Sequence, residues 1–313
     1  METISTSNEG GWVLAHFSDP HLTSLQGMGA TQLMSKRLLG YLSWRRRRRH
    51  EHRPEVLDAL IADMESVKPD HVAITGDLTH LGTPQEFKEV AEWLPRVGTP
   101  QHVTLVPGNH DTYVSEPWEG TFSLWSSYMR SDGPDAGSWN GPDSVFPSLR
   151  VRGNVALIGL SSAVPSSPLL ATGRIGNRQI ALVSRLLRQA REAGLFRVLL
   201  LHHPPVPGSI LWRKRLTDAP ALASAISEQG VELVLHGHAH RSYMNWLDTP
   251  GGRAPVVGAG SASELAENPP RRAQYHLYRI RFDSERPQVL MSVRRYSKRM
   301  GGFVAVDDEK PLV

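Results

Sequence analysis

The 313-residue chain contains no cysteine. This excludes disulfide bonds and thiolate metal sites, so any bound metal must be held by imidazole, carboxylate and amide groups. The chain also lacks an apolar run approaching the roughly 18 residues needed to cross a bilayer. Its first residues, METISTSNEGG, offer neither a basic start nor an apolar segment. Export and a spanning helix are therefore not expected. The expectation is a cytoplasmic protein, peripheral at the inner membrane face if a surface segment binds lipid. Excess charge of one sign is small: 35 Lys and Arg against 31 Asp and Glu give +4. That balance favours anionic partners without choosing among nucleotides, nucleic acid and anionic lipid. No internal repeat interrupts the chain.

Hydrophobic residues make up 40% of the composition, enough to bury a substantial core, and a single domain over 1–313 is expected, with its core near 12–260. Apolar runs at 13–17, 71–75, 103–106, 198–201 and 231–235 read as buried strands. Each delivers polar residues at its C-terminal end: Asp19 and His21, Asp77, Asn109 to Asp111, His202 and His203, then His236, His238 and His240. Helix-like stretches at 54–67, 84–97, 177–193 and 218–228 lie between them, with Pro54 and Pro84 suited to first-turn positions. Such alternation predicts an α/β fold whose ligands sit outside the carboxyl ends of the strands.

After residue 240 the pattern turns mainly β, with runs at 243–248 and 254–257 around a Thr-Pro-Gly-Gly turn and further runs at 275–282 and 289–296. A four-layer αββα sandwich, two mixed sheets packed face to face with helices outside, accommodates both halves. Residues 113–149, rich in Trp, Ser, Gly and Pro, are expected to form an irregular cap or rim over the site. Trp118, Trp125 and Trp139 in that stretch would either line the pocket or pack in the core.

The polar residues at the strand ends form an ordered series: Asp19-x-His21, Gly76-Asp77, Gly108-Asn109-His110-Asp111, His202-His203-Pro204 and Gly237-His238-x-His240. Each element alone is weak. Together, at successive strand ends, they are highly specific. The series resembles the calcineurin-like metallophosphoesterase superfamily, and most closely its bacterial cyclic-nucleotide phosphodiesterase-like branch. The likeness runs from about residue 13 to about 260.

That resemblance implies two divalent or mixed-valence transition metal ions. Asp19, His21, Asp77 and His240 would hold one, and Asp77, Asn109, His202 and His238 the other, with Asp77 bridging. Nitrogen and oxygen donors of this kind suit Mn, Fe, Zn or Co better than Ca or Mg. Two cations about 3.5 to 4 Å apart would acidify a bridging water, whose hydroxide attacks phosphorus in line with the leaving oxygen. His110 is the candidate for stabilising the transition state or protonating the leaving group, with Asp111 orienting its ring and raising its pKa. His203 would orient its neighbour, contact substrate or ligate metal. His236 would support the site or pack structurally, His16 would be a satisfied core or edge histidine, and His80 would be solvated.

Protein phosphatases of the superfamily usually continue Gly-Asp toward an Asp-Arg-Gly or Asn-Arg-Gly triplet and carry Gly-Asn-His-Glu. Here Gly76-Asp77 is followed by Leu-Thr-His-Leu, and the other motif ends in Asp111. Both departures point toward phosphodiesters, of the cyclic nucleotide or glycerophosphodiester type. The residues at 31–53 form a basic insert containing five arginines in a row, Arg45 to Arg49. Just upstream, Met34, Leu38, Leu39, Tyr41, Leu42 and Trp44 could form an amphipathic helix. Three readings stand: an apolar face packed on the domain, contact with an anionic membrane surface, or contact with nucleic acid. The second motivates an alternative function, a membrane-surface pyrophosphohydrolase of a nucleotide-linked lipid. The third motivates a non-catalytic nucleic-acid-binding or scaffold protein.

Overall fold

The computed structural model describes residues 11–22, 24–25, 36–133, 145–283 and 287–312, with the side chains of Arg47, Arg48 and Pro269 not described. Met34 and Trp139 lie outside the described residues. Two mixed sheets flanked by helices make up the fold. In the first sheet, β1 (Trp12–Phe17), β2 (His71–Ile74) and β3 (Val103–Leu105) run parallel. The sheet is extended antiparallel through β10 (Gln274–Arg281), β11 (Gln288–Ser297) and β12 (Gly302–Ala305), with the short β13 (Lys310–Pro311) also on β11. In the second, β5 (Val155–Gly159), β6 (Phe196–Leu200), β7 (Leu233–His236) and β9 (Gly252–Gly258) are parallel. Its antiparallel edges are β4 (Ser148–Arg152) and β8 (Tyr243–Thr249).

The five strands read from apolar runs are thus shared between two sheets, β1 to β3 in one and β6 and β7 in the other. The C-terminal β portion is not a unit of its own. β8 and β9 complete the second sheet and β10 to β13 the first. Uninterrupted burial of β2, β3, β5, β6 and β7 explains why these strands are apolar throughout rather than alternating: both faces are covered.

The helices α3 (Pro54–Val67) and α4 (Pro84–Val97) begin where Pro54 and Pro84 permit, since a first-turn residue needs no N–H donor. On the second sheet the corresponding pair is α6 (Asn177–Glu192) and α7 (Ala219–Gln229). The insert forms α1 (Arg37–Ser43), a five-residue π-helical turn at Trp44–Arg48, and the short α2 (Arg49–Glu51). Within the irregular stretch, Trp125 is fully buried and donates from Nε1 to the carbonyl of Phe87 at 3.0 Å. Together with Phe122 and α5 (Ser126–Met129) it packs beside α4 and β3.

Registers place the carboxyl ends of the parallel strands level. Phe17 pairs Ile74 and Ile74 pairs Leu105, while Gly159 pairs Leu200 and Leu200 pairs Leu235. The two sheets meet at these ends. Ala262 N donates to Ser18 O at 2.9 Å, His202 Nδ1 donates to Thr75 O at 2.6 Å and His238 N donates to Asp19 Oδ2 at 3.0 Å.

Candidate metal centre

Five of the seven candidate ligands sit in left-handed backbone: Asp19 (φ 51°), His21 (41°), Asp77 (57°), His238 (70°) and His240 (52°). Only Lys68 and Leu169 share that region among the other described non-glycine residues. The conformation costs an L residue roughly 1–2 kcal/mol, and it persists where surrounding bonds over-determine it. Here Asp19 N donates to Gly76 O at 3.0 Å and His21 N to Asp77 O at 3.1 Å. The turn after β1 is thereby laced to the turn after β2. Two glycines let these turns approach. A Cβ on Gly108 would lie 2.2 Å from Asp77 Oδ1, and one on Gly237 would lie 1.8 Å from Ser18 Oγ.

The donor atoms gather into overlapping groups. One ligand atom each of Asp19, His21, Asp77 and His240 lies within 4.8 Å of the others, and the same holds for Asp77, His202 and His238. Asp77 stands in both. Its Oδ2 is 3.4 Å from His202 Nε2 and 3.9 Å from His21 Nε2. Asn109 joins the second group, with Oδ1 3.2 Å from His202 Nε2. Asp19 Oδ1 lies 3.2 Å from His240 Nε2.

Each candidate imidazole has one nitrogen committed, which leaves the other to face the centre. The carbonyls of Thr79, Thr75 and Lys214 accept from His21 Nδ1 at 2.8 Å, His202 Nδ1 at 2.6 Å and His238 Nε2 at 3.0 Å. A carbonyl can only accept, so these contacts set the tautomers. His240 Nδ1 faces Glu264 Oε2 at 3.3 Å, and Arg271 holds the other oxygen of that carboxylate at 2.7 Å. Asp19 Oδ1 is buried without a well-formed hydrogen bond. A buried carboxylate oxygen of this kind, beside presented imidazole lone pairs, fits a bound cation.

The field agrees with the donor set. Burial would lower the pKa of His202 and of His240, but Asp77 in the first case and Asp19 in the second overcome it, and both rise to about 9. Burial pushes Asp19 up, yet the neighbouring histidines hold it well below the usual carboxylate range. The buried carboxylates therefore draw positive charge to the same place. His238, whose burial is reinforced by His203 and His202, is held well below its ordinary value and stays a neutral donor.

His110 borders this centre, its ring edge-on to His21 at 4.9 Å and stacked on Tyr113 at 5.6 Å. Its Nδ1 donates to His80 O at 2.6 Å, so the opposite nitrogen is the one that can face a phosphate ester. Asp111 does not orient that ring. Its carboxylate accepts from the backbone N–H groups of Asp77, Leu78, Thr79 and Gly108 at 2.9 to 3.0 Å, and from Thr79 Oγ1 at 3.0 Å. It fixes the loop that presents Asp77. Burial and then Asp77 push Asp111 up to about 7, opposed by the N–H donors of Gly108 and Thr79.

Other histidines also differ from what their sequence positions suggest. His80 is buried, not solvated, and stacks on His21 at 5.1 Å. His203 accepts at Nδ1 from Ser162 Oγ at 2.8 Å and donates from Nε2 to Ala171 O at 3.2 Å, leaving neither nitrogen for a metal. His16 is a core histidine bonded to Thr75 Oγ1 at 2.9 Å. His236 is buried against Tyr243 and donates to Gly237 O; burial lowers it to about 4.

Two residues of the centre carry no signal in the sequence. Glu264 orients His240, and His52 brings a third imidazole within 4.8 Å of the His21 and His240 donors while its Nδ1 lies 2.7 Å from Ser263 Oγ. Neither belongs to a strand-end motif. An isolated bridge pairs 52 with 264 in space.

Comparison with known proteins adds a family. A model described as calcineurin-like phosphoesterase matches residues 13–242. A probable cyclic nucleotide phosphodiesterase of Rhodococcus erythropolis is 29% identical over 234 residues, covering 73% of this chain and 65% of the relative. Another from a Synechococcus species is 27% identical over 189 residues, with 59% and 64% covered. The aligned chain thus spans slightly under two thirds of either relative. Among solved structures, a dimetal phosphatase from Danio rerio is similar in fold, with a TM-score of 0.60 at 13% identity over 95% of this chain and 99% of that one.

Proposed function

Since the chain belongs to the calcineurin-like phosphoesterase family, we propose that it hydrolyses phosphate esters at two transition metal ions, with phosphodiesters of the cyclic nucleotide or glycerophosphodiester type as substrates. Asp19, His21, Asp77 and His240 hold one ion, and Asp77, Asn109, His202 and His238 the other. The observation that carries this reading is the pair of buried donor groups overlapping at Asp77. When bound, such ions supply an acidified water as nucleophile and neutralise charge on the phosphoryl oxygens.

The chain's own residues do the rest. Thr75, Thr79 and Lys214 carbonyls hold three imidazoles in the tautomer that presents a lone pair to the centre. Asp111 keeps the Asp77 loop in its left-handed turn through four donors of that loop. His80 O fixes the His110 ring, whose other nitrogen, when protonated, donates to a phosphoryl or leaving oxygen. Glu264 restrains His240. A purely scaffolding protein would gain nothing from burying so many ionisable groups, each of which costs free energy without a partner.

A panel on Mn-loaded protein tests the reading: bis(p-nitrophenyl) phosphate, p-nitrophenyl phosphate, cyclic AMP, glycerophosphocholine and a nucleotide-diphosphate-linked sugar. Diester turnover at least about tenfold above monoester turnover is expected. Rapid monoester hydrolysis with no diester turnover would contradict it. Selective turnover of the diphosphate-linked compound would favour the pyrophosphohydrolase alternative.

A further inference from the structure

Six of the thirteen large hydrophobic residues exposed among the described residues lie on three segments around the metal centre: Leu38 (47% exposed), Leu39 (50%) and Leu42 (38%) on α1, Leu169 (86%), and Leu211 (58%) with Trp212 (67%). The segments are joined. Lys36 Nζ donates to Ser166 O and Oγ at 2.9 and 3.0 Å, linking the start of α1 to the 166–173 loop. Ala171 N donates to Arg213 O at 2.9 Å and Gly173 N to Arg215 O at 3.1 Å, linking that loop to 211–215. Lys214 O accepts from the candidate ligand His238.

The inner side of the insert closes the ring. Arg37 donates to Leu81 O and Gly82 O and pairs with Glu116 at 2.8 Å. Trp44, with Tyr41 stacked on it, packs against Leu81 beside Tyr113, the residue that stacks on His110. Tyr41 and Trp44 of the insert therefore face the domain while Leu38, Leu39 and Leu42 face solvent. Arg45, Arg46 and Arg49 follow the leucines on the exposed side, and Arg213 and Arg215 are exposed on the facing loop. No carboxylate pairs with these five arginines among the described residues.

Resting on the hydrolase reading above, we propose that this rim docks on an anionic phospholipid surface and that the substrate is a phosphate ester resident in that membrane. Exposed leucines and a tryptophan flanked by arginines without carboxylate partners match an interfacial contact, in which apolar side chains enter the acyl boundary and cations meet anionic headgroups. A single-stranded nucleic acid would instead call for several aromatic platforms among the cations, and the exposed apolar residues here are leucines with one tryptophan. Docking puts the headgroup layer at the mouth of the centre, beside His110.

Flotation of Mn-loaded protein at 150 mM NaCl with phosphatidylcholine vesicles, with and without 30% phosphatidylglycerol, tests the docking, alongside turnover of bis(p-nitrophenyl) phosphate in solution. The wild-type protein should float with the anionic vesicles only. Leu38→Asn/Leu42→Asn/Trp212→Ser and, separately, Arg45→Gln/Arg46→Gln/Arg49→Gln should each weaken binding at least about tenfold while leaving soluble turnover unchanged. The proposal is overturned if the wild type does not float, if the apolar variant floats equally well, or if the protein retains a 20-nucleotide single strand at that salt in preference to vesicles. Flotation that behaves as expected without any diester turnover supports the docking surface and defeats the hydrolase reading, so the two fail separately.

Discussion

Asp111 is a residue whose neighbours in space give it a different task from its neighbours in sequence. Its place after His110 suggests a partner for that ring, yet its oxygens gather four donors from the loop that carries Asp77 and a fifth, Gly108 N, from its own loop. In Asp111→Asn an NH2 group would face backbone N–H groups, leaving buried donors unmatched. The expected loss is about 2–4 kcal/mol of stability, read from urea midpoints, together with weakened metal binding. His110→Ala should behave oppositely, keeping metal content and midpoint while kcat falls about 10²–10⁴-fold. An Asp111→Asn protein as stable as the wild type would refute the loop-anchoring role. Glu264 illustrates the same limit of local reading. It acts on His240, 24 positions away, from a segment that carries no metal-binding pattern.

Among the elements, α4 shows how a helix start can serve the site. Thr83 and Glu86 form a reciprocal capping box, with Thr83 Oγ1 accepting from Glu86 N at 3.3 Å and Glu86 Oε2 accepting from Thr83 N at 2.9 Å. Glu86 also takes the N–H groups of His80 at 2.7 Å and of Leu81. The cap therefore extends into the loop whose His80 carbonyl holds His110. Thr83→Ala should cost about 1 kcal/mol with kcat nearly unchanged. Glu86→Gln should cost more, about 2 kcal/mol, and lower kcat as well, because the His80 carbonyl loses its support. Equal effects of the two substitutions on kcat would contradict this coupling. Local signals locate α3 and α4 to the residue because proline marks both starts. The insert is half legible: its amphipathic character can be read, but which side faces inward depends on contacts with Leu81 and Tyr113.

Across the whole molecule, the strand-end motifs make the α/β class and the gathering of Asp19, His21, Asp77, Asn109, His202, His238 and His240 legible in the amino-acid sequence alone. Allocation of strands between two sheets is not legible there, because β10 returns to pair with β1 across more than 250 residues. Nor can β4 and β5 be read as a pair, since β4 falls at the end of a stretch without periodic signal. The fold also buries histidines away from the centre in neutral form. Burial, then nearby arginines, lower His71 to about 2, and burial followed by Arg295 lowers His276 to about 3. In the unfolded chain both titrate near 6.5. Their stabilisation is thus complete above about pH 6.5 and is lost as pH falls toward the folded values, because the unfolded chain alone takes up the protons. Urea midpoints should drop between pH 7.5 and 5.5, with a limiting slope near 1.4 kcal/mol per pH unit for each group. His71→Gln should flatten that slope by one proton, and an unchanged slope would refute the assignment.

The proposed chemistry depends above all on two ions sharing Asp77. An anomalous difference map from a Mn-soaked crystal reads this out without reference to any substrate. Two peaks are expected, one among Asp19, His21, Asp77 and His240 and one among Asp77, Asn109, His202 and His238, with Asp77 contacting both. A single peak, or one held by His21, His52 and His240 without Asp77, would contradict the shared-ligand centre.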